Sequence, residues 1–255
     1  MAGIVSIFTE QARRLRFAFE AFVPLGKFKP FPYAEMLARH PDGRSAGHIF
    51  DQARQEGCVV QTDLAAFQKA IGEHLRTGIP ASMNLNAETF FTEEFSCKLR
   101  KIIARFPRFS PRDICLEITE QGGIPENFNP ETLIALKDMG FRLALDDFDP
   151  RQTVEQDRLT VFAPYVDIIK FPYQVMELVR DGNQQESLNL ADTVRLIKDK
   201  YPDILFVMEG VRETDHDLLP TLKQIGIDLI QPSSYVPPPP SVPADCSEMR
   251  MALAL

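Results

Sequence analysis

Along the chain, short apolar runs alternate with stretches of helical periodicity, and six of the runs end on a carboxylate, a carboxamide or an ammonium. The runs are SMNLN, ICLEITE, FRLALDDFD, VDIIK, ILFVMEG and IDLIQ. Their polar ends are Asn84, Glu117 with Glu120, Asp146 with Asp147, Lys170, Glu209 and Gln231. Such runs predict buried strands, and the spacing between them predicts helices. A strand, helix, strand, helix order predicts a parallel sheet, which turns every strand end the same way. The expected fold is a closed α/β barrel with its chemistry on the C-terminal face.

Residues 1–15 are expected as a helical lead-in, with Ile4, Ile7, Phe8 and Leu15 near helical spacing. Strands are expected over 16–25, 29–39 and 80–86, and helices over 45–57 and 63–76, the second opening after the cap pair Thr62-Asp63. A helix should open at Thr92-Glu93-Glu94 and run to about 105, by the first-turn acid signal. Another should span about 130–139 and stop at Gly140, where a left-handed cap is easiest for glycine. The polar segment 149–159 is expected as a functional loop. Helices over 173–180 and 186–200 are split by Asp181-Gly182-Asn183, and the last strands are 203–209 and 227–231 with a helix between. From Pro232 the chain should leave regular structure, since four consecutive prolines follow. The expected layout is a lead-in over 1–15, one barrel over 16–240 and a tail over 241–255.

With 255 residues, 44% of them hydrophobic and 25% charged, the chain can bury a full-sized core. A net charge of -8 argues against binding a nucleic-acid polymer through a basic face. An anionic substrate would need a metal to reverse the sign of the acidic strand ends. Cys58, Cys97, Cys115 and Cys246 show no CxxC pairing, which suits reduced thiols. No apolar stretch approaches the roughly 18 residues of a membrane span, and the N-terminus lacks a signal-peptide pattern, so a free-standing cytoplasmic protein is expected.

A hard divalent cation takes several oxygen ligands, some of them anionic. Glu35, Asn84, Glu117 and Asp146 offer four from four strands, and Asp147 beside Asp146 allows a second metal. Lys170 can orient water or offset charge on a phosphate, and Glu209 can serve the second ion. Taken singly, each has a plainer reading, as a solvated strand end or, for Asn84, a turn residue. Their recurrence strand after strand is what points to a site, because ionisable groups in apolar runs are costly unless paired or metal-bound.

These residues resemble the EAL domain family over about residues 16 to 240. The family's Glu-Ala-Leu appears as Glu35-Met36-Leu37, its Asn-Leu-Ser as Asn84-Leu85-Asn86, and its Glu-Ile-Thr-Glu as Glu117-Ile118-Thr119-Glu120. Asp-Asp-Phe matches Asp146-Asp147-Phe148, the lysine strand matches Lys170, Glu-Gly-Val matches Glu209-Gly210-Val211, and the last strand's glutamine matches Gln231. The resemblance implies a (β/α)8 TIM-type barrel with an antiparallel first strand, and metal-dependent hydrolysis of cyclic di-GMP to linear pGpG in bacterial second-messenger signalling. It also implies roles: Glu35, Asn84, Glu117 and Asp146 on a first Mg²⁺ or Mn²⁺, Asp147 on a second, and Glu209 on the second through water. Lys170 would position water, Arg39 bind phosphate and Glu120 brace the loop after the Asp pair. A homodimer and a regulatory protein are the associations it allows.

The chain departs from the family in several places. The family's Gly-Thr-Gly-Tyr loop, which couples substrate and metal binding to dimerisation, is here Asp149-Pro150-Arg151-Gln152, without glycine. Glu20 stands where the family has a glutamine. There it would repel phosphate or accept hydrogen bonds from a guanine edge; the phenylalanines are expected mainly as core filler, with Phe22 or another near the mouth a candidate to stack on guanine. Lys170 is followed by Phe171-Pro172 in place of Ile-Asp, and Gln231 by Pro232 in place of Gly. These changes leave an alternative to the phosphodiesterase, namely a domain that binds the nucleotide without cutting it or that holds a regulatory protein.

Overall fold

The computed structural model describes residues 2–26, 33–42, 45–92, 95–119, 124 and 128–232. In chain order the elements are α1 (Ala2–Arg13), β1 (Arg16–Ala21), β2 (Val23–Pro24), β3 (Ala34–Arg39), α2 (Gly47–Gln55), α3 (Val59–Thr77), β4 (Ala81–Leu85), α4 (Ala87–Phe90), α5 (Phe95–Ile103), β5 (Ile114–Ile118), α6 (Glu131–Met139), β6 (Arg142–Leu145), α7 (Thr153–Phe162), β7 (Ile168–Phe171), α8 (Tyr173–Arg180), α9 (Gln184–Lys200), β8 (Leu205–Val211), α10 (Leu219–Ile225) and β9 (Leu229–Pro232).

These strands form one sheet in the order β1-β3-β4-β5-β6-β7-β8-β9-β2. β3 to β9 run parallel to one another, while β1 pairs antiparallel with β3 and β2 antiparallel with β9. The two ends of the sheet, β1 and β2, are consecutive in sequence and joined through Phe22, so the chain itself completes the ring. The barrel with an antiparallel first strand is therefore the observed fold. One expected strand over 16–25 divides in two because Phe22 turns inward and its N–H bonds Tyr33 O at 3.0 Å.

Alternation along each strand sorts the core into two sets. Leu116, Ile118, Leu143, Leu145, Ile169, Phe171, Phe206 and Met208 point outward and pack under the helices in the main core. Cys115, Ala144, Ile168, Val207 and Leu229 point inward and meet Phe22 as a small plug inside the ring. Each large apolar side chain buried this way contributes about 1.5–3 kcal/mol relative to exposure. α1 lays Phe8 and Ala12 against Ile49 and Ala53 of α2 and Ala65 and Ala66 of α3, so the lead-in helix is fastened by apolar packing.

Helices end where the glycines sit: Gly78, Gly140 and Gly226 cap α3, α6 and α10 in the left-handed conformation. Three further expectations need correction. α3 begins at Val59, not after Asp63. Thr62 bonds back to Cys58 O at 3.0 Å inside the helix, and Asp63 turns inward to accept from another segment. The short α4 was not foreseen. Segment 149–159 is not an extended polar loop, since α7 begins at Thr153. Phe22 cannot stack on a ligand at the mouth, being 4% exposed in the barrel interior. Residues 29–32 of the expected second strand, the Glu93-Glu94 helix start, Glu120, Cys246 and the tail all lie outside the described residues.

Candidate active site

Each inward side chain of the plug is followed, two residues later, by a polar group on the same interior face at the strand's C-terminal end: Cys115 by Glu117, Ala144 by Asp146, Ile168 by Lys170, Val207 by Glu209 and Leu229 by Gln231. Parallel pairing brings these ends level: Asn84 faces Glu117 across β4 and β5, and Glu209 faces Gln231 across β8 and β9. The period of two thus builds an apolar floor with a polar layer above it.

Lys170 is the centre of that layer. Its side chain is 1% exposed, and Nζ lies 3.0 Å from Glu35 Oε2, 2.9 Å from Glu117 Oε2, 2.9 Å from Asp146 Oδ1 and 2.8 Å from Glu209 Oε1. Below, it stands 5.9 Å over the Phe22 ring. Asn84 Nδ2 donates to Glu35 Oε1 at 2.6 Å and Gln231 Nε2 to Glu35 Oε2 at 2.8 Å. Gln231 also reaches Glu20 Oε2 at 3.3 Å, and Glu20 Oε1 is 3.9 Å from Arg39 Nη2. Ten of the eleven sequence-selected residues therefore lie at one end of the barrel, with nine in a continuous network. Asp147, at φ 53, stands off the ring on the wall of a cleft of about 270 Å³ with Asn84, Asn86, Thr119 and Asp146. The eleventh, Glu120, is outside the described residues.

The charges are unbalanced. Burial works to strip Lys170 of its proton, but Asp146, Glu117, Glu209 and Glu35 outweigh it and hold the ammonium well above its ordinary pKa. Burial also opposes ionisation of Glu35, yet the Lys170 charge and the Gln231, Lys170 and Asn84 hydrogen bonds keep its carboxyl below the usual range. For Glu117, burial and the Glu35 charge prevail and raise the pKa well above normal. Burial, aided by Asp146 and Glu35 against Lys170, pushes Glu209 up to about 8. Burial raises Glu20 as well.

Among the described residues the acids are not drawn together as a ready ligand set, since they face Lys170 instead. Their chemistry nevertheless fits a hard divalent cation. Four carboxylates surround one ammonium, and Asn84 Oδ1 and Gln231 Oε1 are buried with no hydrogen-bond donor among the described residues.

Several supporting residues escaped the sequence. On α3, Asp63 accepts from Asn86 N at 3.0 Å, Asn86 Nδ2 at 2.9 Å and Thr89 Oγ1 at 2.5 Å, fixing the turn after Asn84. Arg54 joins from α2, donating to Asn86 Oδ1 and, at 2.8 Å, to Glu88 Oε1. On α7, Arg158 donates to Ile118 O and Asp146 O. A charged residue inside a helix carries no sequence mark of being buried. For Asp63, the hint was an acid among apolar neighbours, LAAF following it directly.

The sequence matches the EAL domain family over residues 10–238. No curated protein matches it. Among solved structures, the Klebsiella pneumoniae protein BlrP1, in its calcium and cyclic di-GMP complex, is 26% identical with a TM-score of 0.68, over 86% of this chain and 54% of that one. This chain thus spans about half the length of that protein. An EAL domain protein from Listeria monocytogenes superposes with a TM-score of 0.71 at 17% identity, over 99% of this chain and 97% of its own. The FimX EAL domain of Xanthomonas citri in complex with cyclic di-GMP gives 0.68 at 15% identity, over 91% and 92%. Among the described residues no helix is long and apolar enough to cross a membrane.

Proposed function

The chain belongs to the EAL domain family, and we propose that its strand-end site binds cyclic di-GMP and hydrolyses one phosphodiester to give linear pGpG with Mg²⁺ or Mn²⁺. The observation that carries the proposal is the ring of Glu35, Glu117, Asp146 and Glu209 about Lys170, supplied by five strands of one barrel face. Such convergence of buried acids is costly for a barrel that binds nothing there. The solved BlrP1 complex, which holds calcium and cyclic di-GMP, agrees with it.

In this reading Glu35, Asn84, Glu117 and Asp146 would hold one cation, and Asp147, with Glu209 through water, would hold a second. Bound divalent cations supply positive charge that offsets the phosphate and acidifies water. Lys170, kept protonated by its neighbours, donates a hydrogen bond to the attacking water or to a phosphate oxygen as charge builds there. Arg39 pairs with a phosphate in place of its long contact to Glu20. Gln231 then donates to a guanine edge, with Glu20 beside it. The oxygen of the entering water bonds to phosphorus as the opposite P–O3′ bond breaks, and the proton the water sheds ends on the 3′-oxygen, so the product carries a 3′-hydroxyl and a 5′-phosphate. The same reading takes 16–240 as the catalytic unit, with 1–15 and 241–255 as appendages, acting in the cytoplasm as a monomer or homodimer or with a regulatory protein.

A second reading, a nucleotide receptor without turnover, is favoured by Glu20, whose carboxylate lies beside Arg39 and Glu35 where phosphate must approach. Calorimetry with cyclic di-GMP in EDTA and then in Mn²⁺ separates the two. The phosphodiesterase reading expects Mn²⁺ to tighten binding at least about tenfold in a Glu209→Gln variant that turns over slowly. Equal affinity with and without metal favours the receptor, and no binding in either condition overturns both.

A further inference from the structure

The Asp146-Asp147 turn is held by a buried cation outside the polar ring. Asp147 sits at φ 53, the one left-handed non-glycine among the described residues, a conformation that persists only where its surroundings fix it. On the far side of the strand ends, Arg158 of α7 is 3% exposed. Its Nη1 and Nη2 each donate to Asp146 O at 3.3 Å, Nη2 donates to Ile118 O at 3.1 Å, and Nη1 pairs with Glu155 Oε2 at 2.7 Å. Ile118 O also accepts Asp146 N at 3.1 Å. One planar guanidinium thus grips the backbone of β5 just after Glu117 and the chain at Asp146, just past β6.

The segment leading to α7 is equally fixed. Asp149 is 4% exposed and accepts from Arg151 N at 3.1 Å, Arg151 Nε at 2.8 Å and Arg151 Nη2 at 2.6 Å, and Gln156 Nε2 donates to Pro150 O at 2.8 Å. Glu155, Arg158 and Phe162, spaced as one helical stripe, are the buried residues of α7. A buried ion pair is a poor source of stability compared with apolar packing, so its use on this stripe calls for another purpose.

We propose that Arg158 is a positioning residue. Through the Ile118 and Asp146 carbonyls it sets the spacing of the Glu117 and Asp146 carboxylates, so that cation affinity at the barrel mouth depends on a side chain that touches neither cation nor nucleotide. This rests on the metal-dependent reading above. Backbone partners of metal-ligating residues act on affinity because the ligands cannot hold their spacing alone.

The test replaces Arg158 by Met together with Glu155→Gln, which avoids leaving the buried Glu155 carboxylate without its Arg158 partner, and separately makes Arg158→Lys. Lys198→Met, which removes the ion pair to Asp228 beside the N-terminal end of β9, serves as a stability control. Free Mn²⁺ is read by electron paramagnetic resonance without nucleotide, alongside melting temperature, kcat and KM. The double variant should weaken Mn²⁺ binding by about 10–100-fold, lower kcat more than it raises KM, and be partly rescued in Arg158→Lys. The control should melt lower while binding Mn²⁺ as the wild type does. A double variant that binds Mn²⁺ within about twofold of wild type overturns the role of Arg158 alone. A wild type that binds no Mn²⁺ overturns the metal-dependent reading and this inference with it.

Discussion

Lys170 Nζ lies 2.9 Å from Glu117 Oε2, and both side chains are 1% exposed. Three further carboxylates share that ammonium, and burial with the Glu35 charge raises the Glu117 pKa well above normal, so Glu117 is an acid the protein without metal can spare. Glu117→Gln should raise the melting temperature in EDTA by about 2–4 °C, roughly 1 kcal/mol for a domain of this size, and abolish the stabilisation that Mn²⁺ is expected to give the wild type. Thermal denaturation of both proteins with and without metal measures this. A lower melting point for the variant in EDTA would show that the ring is balanced without a cation.

Gly210 follows Glu209 at φ 69, and a Cβ built there would meet Tyr173 Cβ at 2.4 Å. Gly210→Ala therefore combines backbone strain with overpacking and should cost about 2–4 kcal/mol. It should also displace Glu209 and cut turnover. Tyr173→Gly in the same chain removes the contact and should recover part of the stability, as read by denaturant unfolding. Unchanged stability in Gly210→Ala would contradict the close approach.

Asp63 has a pKa pushed up to about 7 by burial, against three hydrogen bonds from Thr89 and Asn86 that favour its carboxylate. The ordinary value is 3.8, so the folded state keeps a proton that the unfolded chain releases. Stability is present below pH 4 and is lost as pH rises through the window from about 4 to 7. Asp63→Asn should remove that slope, on the order of 1–4 kcal/mol, in unfolding curves at pH 5 and 8. A wild type that gains stability over this range relative to the variant would reverse the sign.

Glu20 lies within 3.9 Å of Arg39 and is hydrogen-bonded to Gln231. Glu20→Gln frees Arg39 and removes a negative charge from the path of phosphate. Cyclic di-GMP affinity should improve about 2–5-fold, consistent with a partly exposed charge worth less than about 1 kcal/mol, and the gain should shrink at high salt. Weaker binding would instead place the Glu20 carboxylate on the guanine edge as an acceptor.

The barrel was legible because its strands are buried on both faces and its apolar runs are continuous, so ICLEI and VDIIK stand out without an alignment. The site was legible for a related reason, since Glu117, Asp146, Lys170 and Glu209 each end such a run. α7 was hidden by its composition: its buried stripe is Glu155, Arg158 and Phe162, and hydrophobic periodicity cannot see a stripe in which two of three members are charged. Asp63 was misplaced by the same kind of signal, because an acid that begins a helix and one buried inside it look alike until their partners are known. Here those partners, Asn86 and Thr89, lie 23 and 26 residues further along the chain.

The most direct test incubates the purified protein with cyclic di-GMP in Mg²⁺ or Mn²⁺, with an EDTA control and Glu35→Ala beside it, and resolves the nucleotides by chromatography. Linear pGpG formed by the wild type only with metal, and not by the folded Glu35→Ala variant, is the predicted result. Intact cyclic di-GMP in every sample, or product formed equally in EDTA, would contradict a metal-dependent phosphodiesterase built on the Lys170 ring.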